Sequence, residues 1–163
     1  MKLFLVKKYS NLNKYIGWII RFVTRGQYMH VGIYHEGQRT DNPDSIVYEA
    51  QAPANRVVKN KISRYNSNTT IDVFEIKLTT EQNNAILRFL NNKVGSKYDF
   101  KGCLSFIGRF FRQDPIKYFC SEYVCDAFGS VGIFLVNKES GKVSPSELAK
   151  SSKLVLIEKD IKL

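Results

Sequence analysis

Histidine and cysteine are scarce in this chain, and that scarcity removes several functional classes. Two histidines, His30 and His35, cannot build a histidine-rich metal centre. The three cysteines, Cys103, Cys120 and Cys125, are odd in number and contain no CxxC pair. That argues against a disulfide scaffold and against a zinc site. No proline-rich linker, internal repeat or low-complexity tract divides the sequence, and residues 1–163 read as a single domain. Long apolar runs are missing too. "YIGWIIRFV", residues 15–23, is broken by Arg21 and falls well short of the about 20 residues a spanning helix needs. "MKLFLVKKYS" has too short an apolar run for a secretory signal and no small-residue cleavage site. The expected location is therefore the cytoplasm, and a bacterial or phage source is compatible with it.

Charge and apolar residues are plentiful. Hydrophobic residues make up 44% and charged residues 25%, a globular balance able to build a core at this length. The net charge of +10 suggests an acidic partner, such as an anionic membrane surface or cell-wall polymer. Basic clusters occur at Lys7-Lys8 and from Arg56 to Lys61. No arginine-rich helix or nucleic-acid motif accompanies them, which sets nucleic acid aside.

The hydrophobic pattern predicts segregated strands and helices. "LFLV" reads as a short strand, and residues 12–24 as a helix that Asn11 or Asn13 can cap. "MHVGIYH" and "SIVYEAQ" alternate like strands on either side of the polar loop "EGQRTDNPDS", which suggests an antiparallel hairpin. "TIDVFEIKL" is a further strand. In "TTEQNNAILRFLNNKVG", Thr79 and Gln82 fit a capping box, Ile86, Leu87, Leu90 and Val94 form a stripe, and Gly95 closes the helix. "YDFKGCLSFIGRFFRQDP" is aromatic and basic and reads as a helix, or a helix with an irregular lid, ending before Pro115. "GIFLV" reads as a short extended piece, "SPSELAK" as a helix with proline in its first turn, and "KLVLIEK" as a last strand. The class is α+β.

The chemistry concentrates in "KYFCSEYVCDAF", residues 117–128. Tyr123, Val124, Ala127 and Phe128 fall at helical spacing, which places Cys120 at the start of the helix. A thiol there faces the positive end of the peptide dipoles, which favours the nucleophilic thiolate. Most free cysteines are simply small buried hydrophobes, so a nucleophile needs partners. His30 is the candidate base, and strand alternation puts it on one face with Gly32 and Tyr34. Gly32 would leave room beside it for another backbone or a substrate. Glu49, an acid inside the apolar strand "IVYEA", is the candidate that orients the imidazole, with Gln51 on the same face as the alternative. Cys125 lies about 140° round the helix from Cys120, so the two thiols cannot share a site, and Cys125 reads as the core residue. Backbone N–H groups of Cys120 or Ser121 could bind an oxyanion, and Tyr98 could add a phenol donor.

In order, "HVGIY", "YEA", "KYDF" and "YFCSEYVCDAF" resemble the circularly permuted papain-like hydrolases, the permuted branch of the NlpC superfamily, and within it the YiiX-like group. The likeness runs from about residue 12 to about residue 148 and includes "SPSEL". Histidine precedes cysteine, as in the permuted branch. The glycine-aspartate opening of such enzymes is absent, and "LFLVKKYS" stands in its place. The resemblance implies a small antiparallel sheet carrying the histidine and a helix carrying the cysteine. It implies Cys120 as nucleophile, His30 as base, Glu49 as third polar group, Tyr98 near the site, and no cofactor. Three activities follow as expectations. The first is amide hydrolysis, on a peptide or peptidoglycan fragment. The second is acyl-lipid hydrolysis or transfer of the lecithin:retinol acyltransferase-like type, with "FIGRFFRQ" and "YIGWIIRFV" touching a bilayer. The third is non-catalytic binding through the basic surface.

Overall fold

The computed structural model describes residues 1–8, 26–35, 37–65, 68–100 and 116–163. The expected helix over 12–24 with its caps, Cys103 and "FIGRFFRQ" lie outside them. The strands are β1 (Lys2–Lys8), β2 (His30–Tyr34), β3 (Ile46–Gln51), β4 (Arg56–Lys61), β5 (Thr70–Glu75) and β6 (Val155–Lys162). The helices are α1 (Thr80–Lys93), α2 (Cys120–Gly129) and α3 (Pro145–Leu148). The strands form one sheet of order β4-β3-β2-β1-β5-β6, and every neighbouring pair is antiparallel.

The apolar run "LFLV" becomes one of the two central strands because both of its faces are covered. Leu3 and Leu5 join the main core with Val31, Ile33, Tyr48 and α2. Phe4 and Val6 join a second cluster with Tyr34, Val47, Tyr65 and Ile71 on the opposite face. All four residues of the run are fully buried. A continuous apolar stretch suits a strand with two dry faces, where an alternating one would leave a polar face without water.

α2 packs across β2 and β3. Its Tyr123, Val124, Ala127 and Phe128 are fully buried, as their spacing predicts. Each large side chain among them contributes about 1.5–3 kcal/mol by burial. α1 has the expected Thr79–Gln82 capping box, and Gly95 follows it with φ +91°, a conformation that favours glycine. Its buried stripe stops at Leu90, because Val94 is 42% exposed at the helix end. "GIFLV" forms bends rather than a strand. Ser144 and Glu147 cap α3 reciprocally, with Pro145 at its start.

The basic cluster Arg56 to Lys61 turns out to be β4, an edge strand that the sequence pattern does not announce. Arg56, Lys59 and Lys61 are exposed along it. Charged side chains on an edge discourage another chain from adding to the sheet.

Candidate active site

α2 begins at Cys120 because Phe119 is extended (φ −99°, ψ 172°) and starts the first helical turn. The Glu122 carboxylate accepts from the Phe119 N–H at 3.3 Å, which satisfies the chain just before the helix. N–H groups of a helix's first turn have no intrahelical acceptor and point outward from its end. Cys120 sits at that end and is buried.

His30 is the first residue of β2 and is 6% exposed. Its Nε2–H donates to Glu49 Oε2 at 2.7 Å. It also hydrogen-bonds Cys120. Burial alone would push the imidazole down. The hydrogen bond and charge of Cys120 act against it, followed by those of Glu49, and the pKa rises to about 9.

Glu49 is fully buried in β3. Three donors converge on its carboxylate: His30 at 2.7 Å, Gln51 Nε2 at 2.7 Å on the other oxygen, and the Tyr65 hydroxyl. The sheet register explains the arrangement. Ile33 pairs with Tyr48 and Tyr34 with Val47, so extending the ladder sets Gln51 opposite His30 and Glu49 on the diagonal of the same face. The two polar residues that the sequence leaves as alternatives therefore both belong to the site. Glu49 touches the imidazole, and Gln51 holds Glu49. Gln51 Oε1 is buried and accepts no hydrogen bond among the described residues.

Alternation assigns His30, Glu49 and Tyr65 to the side of the sheet that carries Phe4, and Cys120 to the side that carries α2. The two sides meet where β2 and α2 both begin. Of the two uses expected for the space at Gly32, another backbone or a substrate, the first is seen, together with a ring. The Phe4 ring fills that space, and a Cβ on Gly32 would lie 2.5 Å from two of its atoms and 3.0 Å from the Tyr48 carbonyl oxygen.

The other expected residues separate. The Ser121 hydroxyl donates to the Val143 carbonyl at 2.6 Å, which leaves its backbone N–H as the group that faces the helix end. Tyr98 is buried on a short parallel bridge to Tyr118, two residues before Cys120, and its ring packs against Phe100 with centroids 4.8 Å apart. Cys125 is only partly buried, less so than Cys120, which reverses the expected order of the two as core residues. Its thiol is pushed up to about 12, chiefly by desolvation. Tyr65 is the site residue that sequence reasoning misses. It follows a 3-10 turn (Ile62–Arg64) that returns beneath the sheet, and no local signal in "ISRYNSN" marks it.

No family model matches the sequence, and no curated protein matches it. The fold is shared with YiiX. The crystal structure of the metalloprotein YiiX from Escherichia coli O157:H7 superposes with a TM-score of 0.68, over 98% of this chain and 96% of that one. The identity is 16%, so the likeness to YiiX is one of fold. It extends over nearly the whole chain. Among the described residues, no helix is long and apolar enough to cross a membrane.

A thiol, an imidazole and a buried carboxylate in one hydrogen-bonded line are the groups that nucleophilic acyl transfer requires.

Proposed function

We propose that the protein is a cysteine hydrolase of the permuted papain-like type, cleaving an amide bond in a peptide or peptidoglycan-type substrate. The observation that carries this reading is His30, hydrogen-bonded to both Cys120 and Glu49 in a buried setting. The Cys120 thiolate attacks the carbonyl carbon, and the C–N bond breaks as His30 passes its proton to the departing amine. The acyl group stays on sulfur as a thioester. His30, now neutral, takes a proton from water, whose oxygen attacks the thioester and releases the acid and the thiolate. Glu49 keeps the ring oriented through both steps. The N–H groups of Cys120 and Ser121 at the helix start are suited to the developing oxyanion.

YiiX is called a metalloprotein. In this chain, no three of His, Cys, Asp and Glu among the described residues are grouped to hold a metal ion. His30 is already engaged by Cys120 and Glu49. Among the described residues, the donors present do not fit a metal ion. The segments that motivated a lipid-directed activity lie outside the described residues.

The test is acid-quench trapping. The full chain is mixed with a panel of peptidyl aminomethylcoumarin amides, quenched with acid, and digested for mass spectrometry. The expected result is an acyl adduct on the Cys120 peptide that hydroxylamine removes, and no turnover by Cys120→Ala. Undiminished turnover by Cys120→Ala sinks the proposal.

A further inference from the structure

A cleft of about 780 Å³ opens between the chain entering β2 and the segment around α3, a size that suits a bound small molecule or peptide end. Its apolar lining comprises the buried Phe74 and Leu154 and the exposed Leu156. Its rim carries Lys138, Lys142 and Lys150 against a single carboxylate, Glu147. Lys138 is paired with Glu147, and Lys142 lies 2.6 Å from Glu139 in an exposed pair. Lys150 has no ion-pair partner among the described residues, so its charge faces the cleft uncompensated.

Both walls are chain neighbours of the candidate active site, although Cys120, His30 and Glu49 do not themselves line the cleft. Tyr28 lines the cleft two residues before His30, a span of about 7 Å in extended chain. Ser144 lines the other wall next to Val143, whose carbonyl takes the Ser121 hydroxyl beside Cys120. The walls are tied together, since the Tyr28 N–H donates to Ser146 Oγ at 2.9 Å.

We infer that this cleft is a substrate subsite of the proposed hydrolase, and that it takes a segment with an apolar body and an anionic group. Lys150 and Lys142 bind the anion, and Phe74 and Leu154 receive the apolar part. The inference rests on the proposed function for its link to Cys120. The cleft's own selectivity is a separate matter. A carboxylate and a phosphate share the required chemistry, and the experiment distinguishes them.

Two measurements decide it. In the first, amide chemical shifts of the full chain are followed during titration with acetyl-leucyl-aspartate, acetyl-leucyl-asparagine and acetyl-leucyl-phosphoserine. The expected outcome is movement at Tyr28, Ser146 and Lys150, with the anionic ligands binding about fivefold or more tightly than the asparagine one, and the advantage shrinking in salt. The stronger of the two anionic ligands names the source. Lys150→Ala should lower the advantage, whereas Lys61→Ala, exposed on β4, should not. Equal binding of all three, or an equal effect of Lys61→Ala, overturns the proposed cleft, because the preference would then be absent or due to overall charge.

The second measurement tests the link to the thiol. N-substituted iodoacetamides with a carboxylate, a neutral amide or an amine at the end of a short tail are compared at Cys120. The carboxylate probe should react fastest relative to iodoacetamide itself, and Lys150→Ala should reduce that ratio. Fast iodoacetamide reaction with no tail preference overturns the subsite and leaves the hydrolase reading standing. Slow reaction at Cys120 with every probe counts against the hydrolase reading and removes the cleft's role as its subsite, while the titration still decides whether the cleft binds anions.

Discussion

Removing either neighbour of His30 should lower the pH at which its imidazole loses charge, and by different amounts. The ring's rise from an ordinary 6.5 to about 9 has two supports acting against burial, Cys120 first and Glu49 second. At about 1.4 kcal/mol per unit, that rise amounts to about 3 kcal/mol favouring the cation. The sign follows from linkage. A group whose pKa is higher folded than unfolded stabilises the fold fully below about 6.5, and that contribution is lost as pH rises through about 9. The assay is imidazole ¹H–¹⁵N correlation spectroscopy from pH 5 to pH 10.5, on a His35→Gln background so that a single ring is observed. His30 should titrate near 9 in the parent, lower in Glu49→Gln, and lower still in Cys120→Ser. Denaturant titrations of the parent should show stability declining over the same interval. A His30 midpoint near 6.5, or one indifferent to Cys120→Ser, would refute the coupling on which the catalytic reading depends.

Three further expectations concern the residues around this line. Gly32→Ala should destabilise by roughly 1–3 kcal/mol in urea denaturation, because its Cβ collides with the Phe4 ring, and Phe4→Leu should recover part of the loss. Tyr65→Phe should cost about 1–2 kcal/mol, since it leaves the buried Glu49 carboxylate one donor short; an unchanged denaturation midpoint would contradict the hydrogen bond. Glu122 is raised from 4.5 to about 8 by burial and by Asp126 and Asp99, against the Phe119 N–H. The parent should therefore lose stability between those two values as pH rises, and Glu122→Gln should lack that slope; parallel stability curves would contradict the shift.

Residues whose neighbours lie within a turn or along one strand were legible from sequence. The capping box at Thr79 and Gln82, the helix beginning at Cys120 and the hairpin of β2 and β3 follow from local periodicity and local hydrogen bonds. Elements without such a signal were not legible. β4 reads as a basic cluster because an edge strand has one half-solvated side and tolerates lysine at alternate positions. Tyr65 reads as an ordinary loop tyrosine, since its partner Glu49 is distant in sequence and meets it only beneath the sheet. Gly32 invites a functional explanation until Phe4, from a neighbouring strand, is seen to occupy its space.

The sequence by itself determined the class of the fold and the residue types able to perform acyl transfer, because apolar spacing and helix start signals are properties of short stretches of chain. It could not decide between Glu49 and Gln51 as the partner of His30, since both point to the same face of one strand. The tertiary structure decided that, through strand register: extending the ladder sets Gln51 opposite His30 and Glu49 on the diagonal, and it is the glutamate that bonds the ring. It also decided that a histidine on one side of the sheet meets a cysteine on the other, because both elements begin at the same end. Register and the meeting of element ends depend on contacts between residues far apart in sequence, and no local pattern encodes them.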